Sequence, residues 1–177
     1  MTAKPTQPLQ ANPAAVPHGL HVFTDGCVEP GSGDGGWAYV VYRNGLEISS
    51  GCGGVAKTAN NAMEIMAVLE AAEWIASNAA GEDVVIWSDS LYAVRGCNAF
   101  RQIWKGNGWK KIDANPNVRR RTIAHAELWK MLDLKLSQNP LVRIEWCKGH
   151  FGIDGNERAD ALADQGRRTI QRQGRRT

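Results

Sequence analysis

Long apolar runs are missing from this 177-residue chain. Nothing approaches the roughly 20 consecutive apolar residues that a membrane-spanning helix requires, so no helical membrane anchor is expected. Paired cysteines are missing too. Cys27, Cys52, Cys97 and Cys147 lie far apart with no Cys-x-x-Cys spacing, which argues against a zinc knuckle and offers no disulfide framework. The first residues carry one lysine, three prolines before residue 14 and no apolar block. They match neither a signal nor a transit peptide, and a cytoplasmic protein is expected.

Acid is scarce in two places. From Arg101 to His125 there are seven Lys/Arg against one Asp, a balance of +6; from Gly166 to Thr177 there are five arginines and no acid, a balance of +5. The whole chain is only +3, so the remainder carries −8. Two basic patches on an acidic body suggest a polyanionic partner, although a solvated loop and an unstructured tail would show the same charges.

What the chain does contain is ordinary globular material, 43% hydrophobic and 22% charged, enough for one core. Residues 1–18, rich in Pro, Ala and Gln, are expected to be disordered. A domain is expected over 19–166 and a basic arginine-rich tail over 167–177, where Gly-Arg-Arg-Thr occurs at 166–169 and again at 174–177. Within the domain, Leu20–Thr24 reads as a strand that turns at Asp25-Gly26. Trp37–Tyr42 and Leu46–Ser50 flank Asn44-Gly45, the pair suited to a type I′ hairpin. Ala62, Ile65, Leu69, Ala72 and Ala76 recur at helical spacing from about Asn61 to Ser77, with Thr58 or Asn60 as the expected cap. Val84–Trp87 is apolar on both faces, as in a strand covered on each side. Leu128, Met131, Leu132 and Leu136 mark another helix. Val142, Ile144 and Trp146 alternate like a strand, and Asn156–Ala163 reads as a last helix. The order β-β-β-α-β-α-α-β-α implies an α/β fold, an antiparallel meander extended by strands that arrive through helical crossovers.

Four acids fall where ligands gather in such sheets. Asp25 closes the first strand, Glu64 lies in the first turn of the first long helix, Asp89 ends the buried strand, and Asp160 sits in the last helix. Taken singly, each is an ordinary turn residue, helix acid or strand-end cap. Gathered at one sheet end, carboxylates repel unless protons or cations neutralise them. Hard divalent ions take such oxygen ligands, and a pair of them can activate water against a phosphodiester.

The stretches Phe23-Thr24-Asp25-Gly26, Asn60-Asn61-Ala62-Met63-Glu64-Ile65-Met66-Ala67, Ser88-Asp89-Ser90-Leu91-Tyr92 and Lys148-Gly149-His150-Phe151-Gly152-Ile153-Asp154-Gly155-Asn156-Glu157-Arg158-Ala159-Asp160 resemble, in order, the four signature blocks of type 1 ribonuclease H. The resemblance implies a mixed five-stranded sheet with helices on both faces. It also implies endonucleolytic hydrolysis of the RNA strand of an RNA–DNA hybrid by a monomer, leaving 5′-phosphate and 3′-hydroxyl ends. Asp25, Glu64, Asp89 and Asp160 would ligate two Mg²⁺, with Mn²⁺ as a substitute, and His150 would assist water activation or product release. Trp104-Lys105-Gly106-Asn107-Gly108-Trp109-Lys110-Lys111 resembles the family's basic protrusion. There Trp104, Lys105, Trp109, Lys110 and Lys111 would grip the DNA strand, while Asn60 and Asn61 would read the minor groove.

The chain departs from the family pattern at Cys27, where a serine is usual, and at Ala59, where a threonine often touches a DNA phosphate. It also departs across Val28–Asp34, which brings Glu29 and Asp34 near a polyanion site. The stretch from Ile112 to Ala126, with Arg119-Arg120-Arg121, looks longer than usual. Two other readings stand beside the nuclease: a non-catalytic module that binds hybrid or double-stranded RNA, and a DNA-directed nuclease or integrase on the same fold. The presence of all four acids and His150 argues against the first, and the Trp-Lys protrusion with the Lys-Gly-His block against the second.

Overall fold

The computed structural model of the protein describes residues 16–112 and 122–174, with side chains described as far as residue 170. The N-terminal segment before Val16, Arg119-Arg120-Arg121 and the second Gly-Arg-Arg-Thr from Arg175 onward lie outside the described residues.

Nine residues of β-rich sequence form β1 (Leu20–Val28), which pairs antiparallel with β2 (Gly35–Arg43) and parallel with β4 (Val84–Ser88). β3 (Leu46–Val55) borders β2 and β5 (Val142–Trp146) borders β4, which gives the sheet order β3-β2-β1-β4-β5. Asn44 and Gly45 both take positive φ, 54° and 81°, as the tight β2–β3 hairpin requires. β1 does not turn at Asp25-Gly26 as its sequence suggested. It continues four residues past Thr24 because Asp25, Gly26, Cys27 and Val28 keep pairing with Ala38, Trp37, Gly36 and Gly35.

Helix α1 (Asn60–Asn78) draws 11 of its 19 residues from the strong helix formers Ala, Met, Glu and Leu and buries ten residues, including Ile65, Leu69 and Ala72. With α4 (Ala126–Gln138) it covers one sheet face, enclosing Val22, Val84, Ile86 and the fully buried Trp129. Neither Thr58 nor Asn60 caps α1. The N-cap is Ala59, with no side-chain bond, and Glu64 falls in the second turn rather than the first. Between β4 and α4 the chain forms α2 (Leu91–Arg95), a π-type turn (Gly96–Phe100) and α3 (Arg101–Gly106).

The other face is covered by one helix, α5 (Asp154–Gly174), packed on Phe23, Ala38, Val40 and Tyr42 through Ala159, Leu162 and Ala163. This helix overruns the expected end at Ala163, so the arginine-rich segment begins inside it. Its backbone lies directly on the sheet: a Cβ at Gly36 would collide with the Ala163 carbonyl, and one at Gly166 with the Gly53 carbonyl. Such backbone-on-backbone contact needs glycine on both surfaces. Arg167 donates to Asp164 and to Glu29 on the β1–β2 loop, so the acid that Glu29 adds near the site is met by a cation from α5.

Candidate functional site

Parallel register brings the acids together. Thr24 pairs with Ser88, and Ser88 with Trp146, so the residues that follow, Asp25, Asp89 and Cys147, lie in a row where the parallel pairing ends, Asp25 within β1 and the other two just past β4 and β5. The Cys147 amide donates to the Ser88 carbonyl at 3.0 Å and extends the row beyond the strand. From the face above, α1 lowers Glu64 onto β1. Ligand oxygens of Asp25, Glu64 and Asp89 all lie within 4.8 Å of one another.

The site is an electrostatic conflict. Asp25 and Glu64 are both buried, at 7% and 6% exposure. Burial, then the charges of Asp89 and Asp160, push the Asp25 carboxyl up to about 8; the Gly26 amide, donating to its Oδ1 at 2.9 Å, opposes the rise. Burial, then Asp25 and Asp89, push Glu64 up to about 9. The Asn60 amide reaches Glu64 Oε1 at 3.4 Å, while the buried Glu64 Oε2 has no hydrogen-bond partner. A buried, orphaned carboxylate oxygen among like charges is costly unless a cation completes it. The donors are all hard oxygens, the set that Mg²⁺ and Mn²⁺ take, so the residues present fit a divalent ion.

Asp160 is half-buried on α5 and helps to raise the Asp25 carboxyl, but it is not among the three acids whose oxygens converge. Asp89 is held from the β5–α5 side. Asn156 Nδ2 donates to its Oδ2 at 3.3 Å, Trp146 Nε1 donates to its main-chain carbonyl at 3.1 Å, and Gly149 packs so closely that a Cβ there would strike the carboxylate. That bond explains why Trp146 is exposed at 46% rather than buried, as the strand alternation suggested. His150 follows Gly149 on the same loop, with an exposed ring and a left-handed backbone, φ 52°.

The basic segment is not a plain loop. Trp104 and Lys105 end α3, and Trp109 and Lys110 follow in a turn where the Trp109 amide donates to the Trp104 carbonyl at 2.7 Å. Both tryptophans pack on the core, Trp104 with its ring centroid 5.3 Å from that of Trp129. Lys105 is committed: its ammonium pairs at 2.8 Å with Asp133, which also binds Arg101 at 2.7 Å. Lys110 and Lys111 are exposed, as are Asn60 and Asn61 at the start of α1. Sequence reasoning passed over two residues, Asn156 and Asp133. A buried Asn in the block that carries Asp160, and an Asp amid the apolar positions Leu132 and Leu136, were the available signals.

The RNase H family profile matches residues 17–168. The ribonuclease H of Dechloromonas aromatica is 37% identical over 147 residues, 83% of this chain and 92% of the relative. The solution structure of the PFV RNase H domain shares 23% identity with a TM-score of 0.71, covering 87% of this chain and 97% of that one. The foamy viral protease-reverse transcriptase solved with RNA/DNA hybrid aligns at TM-score 0.73 and 21% identity, over 96% of this chain but only 22% of that longer protein.

Proposed function

The chain belongs to the ribonuclease H family, and from that premise we propose that it hydrolyses the RNA strand of RNA–DNA hybrids at the Asp25–Glu64–Asp89 centre, with two divalent ions, Mg²⁺ by preference and Mn²⁺ as substitute. The observation that carries this reading is the convergence of one oxygen each from Asp25, Glu64 and Asp89 within 4.8 Å of one another, with Glu64 Oε2 buried and unpartnered. Asp25, Glu64 and Asp89 would hold the ions, with Asp160, beside Asp25, as a further ligand. Bound there, such a pair supplies an activated water and neutralises charge that builds on the phosphodiester. His150, exposed on the loop after Gly149, relays a proton at the rim of the site through its imidazole.

The remaining residues place the duplex. Lys110 and Lys111 take phosphates of the DNA strand, while Trp104 and Trp109, anchored in the core, hold that segment rigid. Asn60 and Asn61 face the minor groove, where a 2′-hydroxyl distinguishes ribose from deoxyribose. Every residue named comes from one chain, so a monomer carries the complete site. The four thiols, none in a disulfide, suit the reducing cytoplasm.

End-labelled RNA–DNA hybrid, double-stranded RNA and double-stranded DNA, each with and without Mg²⁺, test the reading. Only the hybrid with Mg²⁺ is expected to be cut, in its RNA strand, leaving 5′-phosphate and 3′-hydroxyl ends. A 2′,3′-cyclic phosphate product overturns it, because it would show attack by the ribose rather than by water.

A further inference from the structure

Asp25 and Glu64 are held by neighbours in their own segments, the Gly26 amide and the Asn60 side chain. Asp89 is not. It stands just beyond the last residue of β4, half-buried, among acids that repel it, with no bond to its carboxylate from its own segment among the described contacts. The group that bonds its carboxylate lies 67 residues away, in the first turn of α5.

That group is Asn156, a polar side chain only 1% exposed. Its amide is fixed from behind: the buried Cys147 thiol donates to Oδ1 at 3.4 Å. Because a thiol donor faces Oδ1, the amide nitrogen must point the other way, and it meets Asp89 Oδ2 at 3.3 Å. Cys147 is itself tied to the same strand end through its amide bond to the Ser88 carbonyl. The relay Cys147–Asn156–Asp89 therefore closes a ring that joins the end of β4, the end of β5 and the start of α5. Gly149 seals its open side by pressing on the carboxylate.

We propose that Asn156 is the positioning residue of the metal centre: it holds the Asp89 carboxylate turned inward, towards Asp25 and Glu64, in the orientation an ion requires. The inference rests on the reading of these acids as metal ligands. Partners that orient a ligating carboxylate are typically worth about 10- to 100-fold in metal affinity, and that is the effect expected here. Asn156 touches no substrate in this role, so the hybrid's own affinity is untouched.

The full-length protein and Asn156→Leu, which keeps nearly the shape of the amide and deletes both bonds, are titrated with Mg²⁺ and with Mn²⁺ by calorimetry in the absence of nucleic acid. The variant is expected to bind at least about tenfold more weakly. In parallel kinetics its KM for hybrid should match the native value, while its kcat falls at limiting metal and recovers as metal is raised. Should the leucine variant not fold, Asn156→Ala, which deletes the same bonds and leaves a cavity, takes its place. Native metal affinity in the folded variant overturns the inference, even if its metal-free melting temperature drops, since Asn156 would then be structural only. If the native protein itself binds neither ion, the failure belongs to the metal-site reading and not to Asn156.

Discussion

Two regions of this molecule bury charge, and they do it in opposite ways. Between α3 and α4, Asp133 is 5% exposed and sits between Arg101 and Lys105, at 2.7 and 2.8 Å. At the sheet end, Asp25 and Glu64 are as deeply buried, yet their nearest charges are other acids, and Glu64 Oε2 has no partner at all. The first region satisfies itself and holds the tryptophan-bearing segment against the core. The second is complete only with a proton or a cation. Burial alone therefore does not mark a functional acid; the sign of what surrounds it does.

The most direct way to break the comparison is to remove a charge from each region. Asp25→Asn should abolish hybrid cleavage while raising metal-free stability by about 1 kcal/mol, because it relieves repulsion. Asp133→Asn should do the reverse, costing about 3 kcal/mol by removing the buried charge that half-buried Arg101 pairs with, with turnover at saturating hybrid largely kept. Cleavage assays and melts in EDTA on both variants check the pair. Stabilisation by Asp133→Asn, or a loss of stability with retained cleavage in Asp25→Asn, would collapse the distinction.

A gentler probe is pH. In the unfolded chain the two carboxyls titrate near their ordinary values of 3.8 and 4.5, whereas in the folded, metal-free protein they are held up at about 8 and about 9. Between those limits the folded state keeps protons that the unfolded state has released. Stability from these groups is therefore full below about pH 4 and lost as pH rises towards 9. Melting temperature in EDTA should fall from pH 5 to pH 9, and saturating Mg²⁺ should flatten that fall by taking the protons' place.

The smallest effect separates the lysines of the basic segment. Lys111, exposed at the end of the basic segment, is expected to contribute about 0.9 to the slope of log affinity against log salt. Lys105 is held by its ion pair with Asp133, which it shares with Arg101, and so is not free to reach a phosphate. Lys111→Ala should lower the slope by about that amount and Lys105→Ala should barely move it, as hybrid binding measured across a salt series would show.

Much of this was legible from the chain itself. The Asn44-Gly45 hairpin, the apolar period of α1 and the doubly apolar β4 are local signals, and the structure follows them. Element ends were less legible because they depend on partners. β1 runs past Asp25 since β2 keeps offering it hydrogen bonds, and α5 runs past Ala163 because glycines on β2 and β3 let its backbone settle on the sheet. The arginines at 167 and 168 read as tail for the same reason: nothing nearby in sequence announces that Arg167 will meet Glu29, 138 residues away.

The sequence by itself determined which acids this protein carries, in which order, and on which kinds of element, since strand and helix periods are written in neighbouring residues. Only the tertiary structure decided which acids meet. Parallel pairing of β1 with β4 sets Asp25 beside Asp89, and α1 packing lowers Glu64 onto them, while Asp160 stays one step outside. It also decided that Lys105 is a strut and that Asn156 holds Asp89. Those roles depend on distances between residues far apart in the chain, and no local pattern encodes such a distance until the core has closed around it.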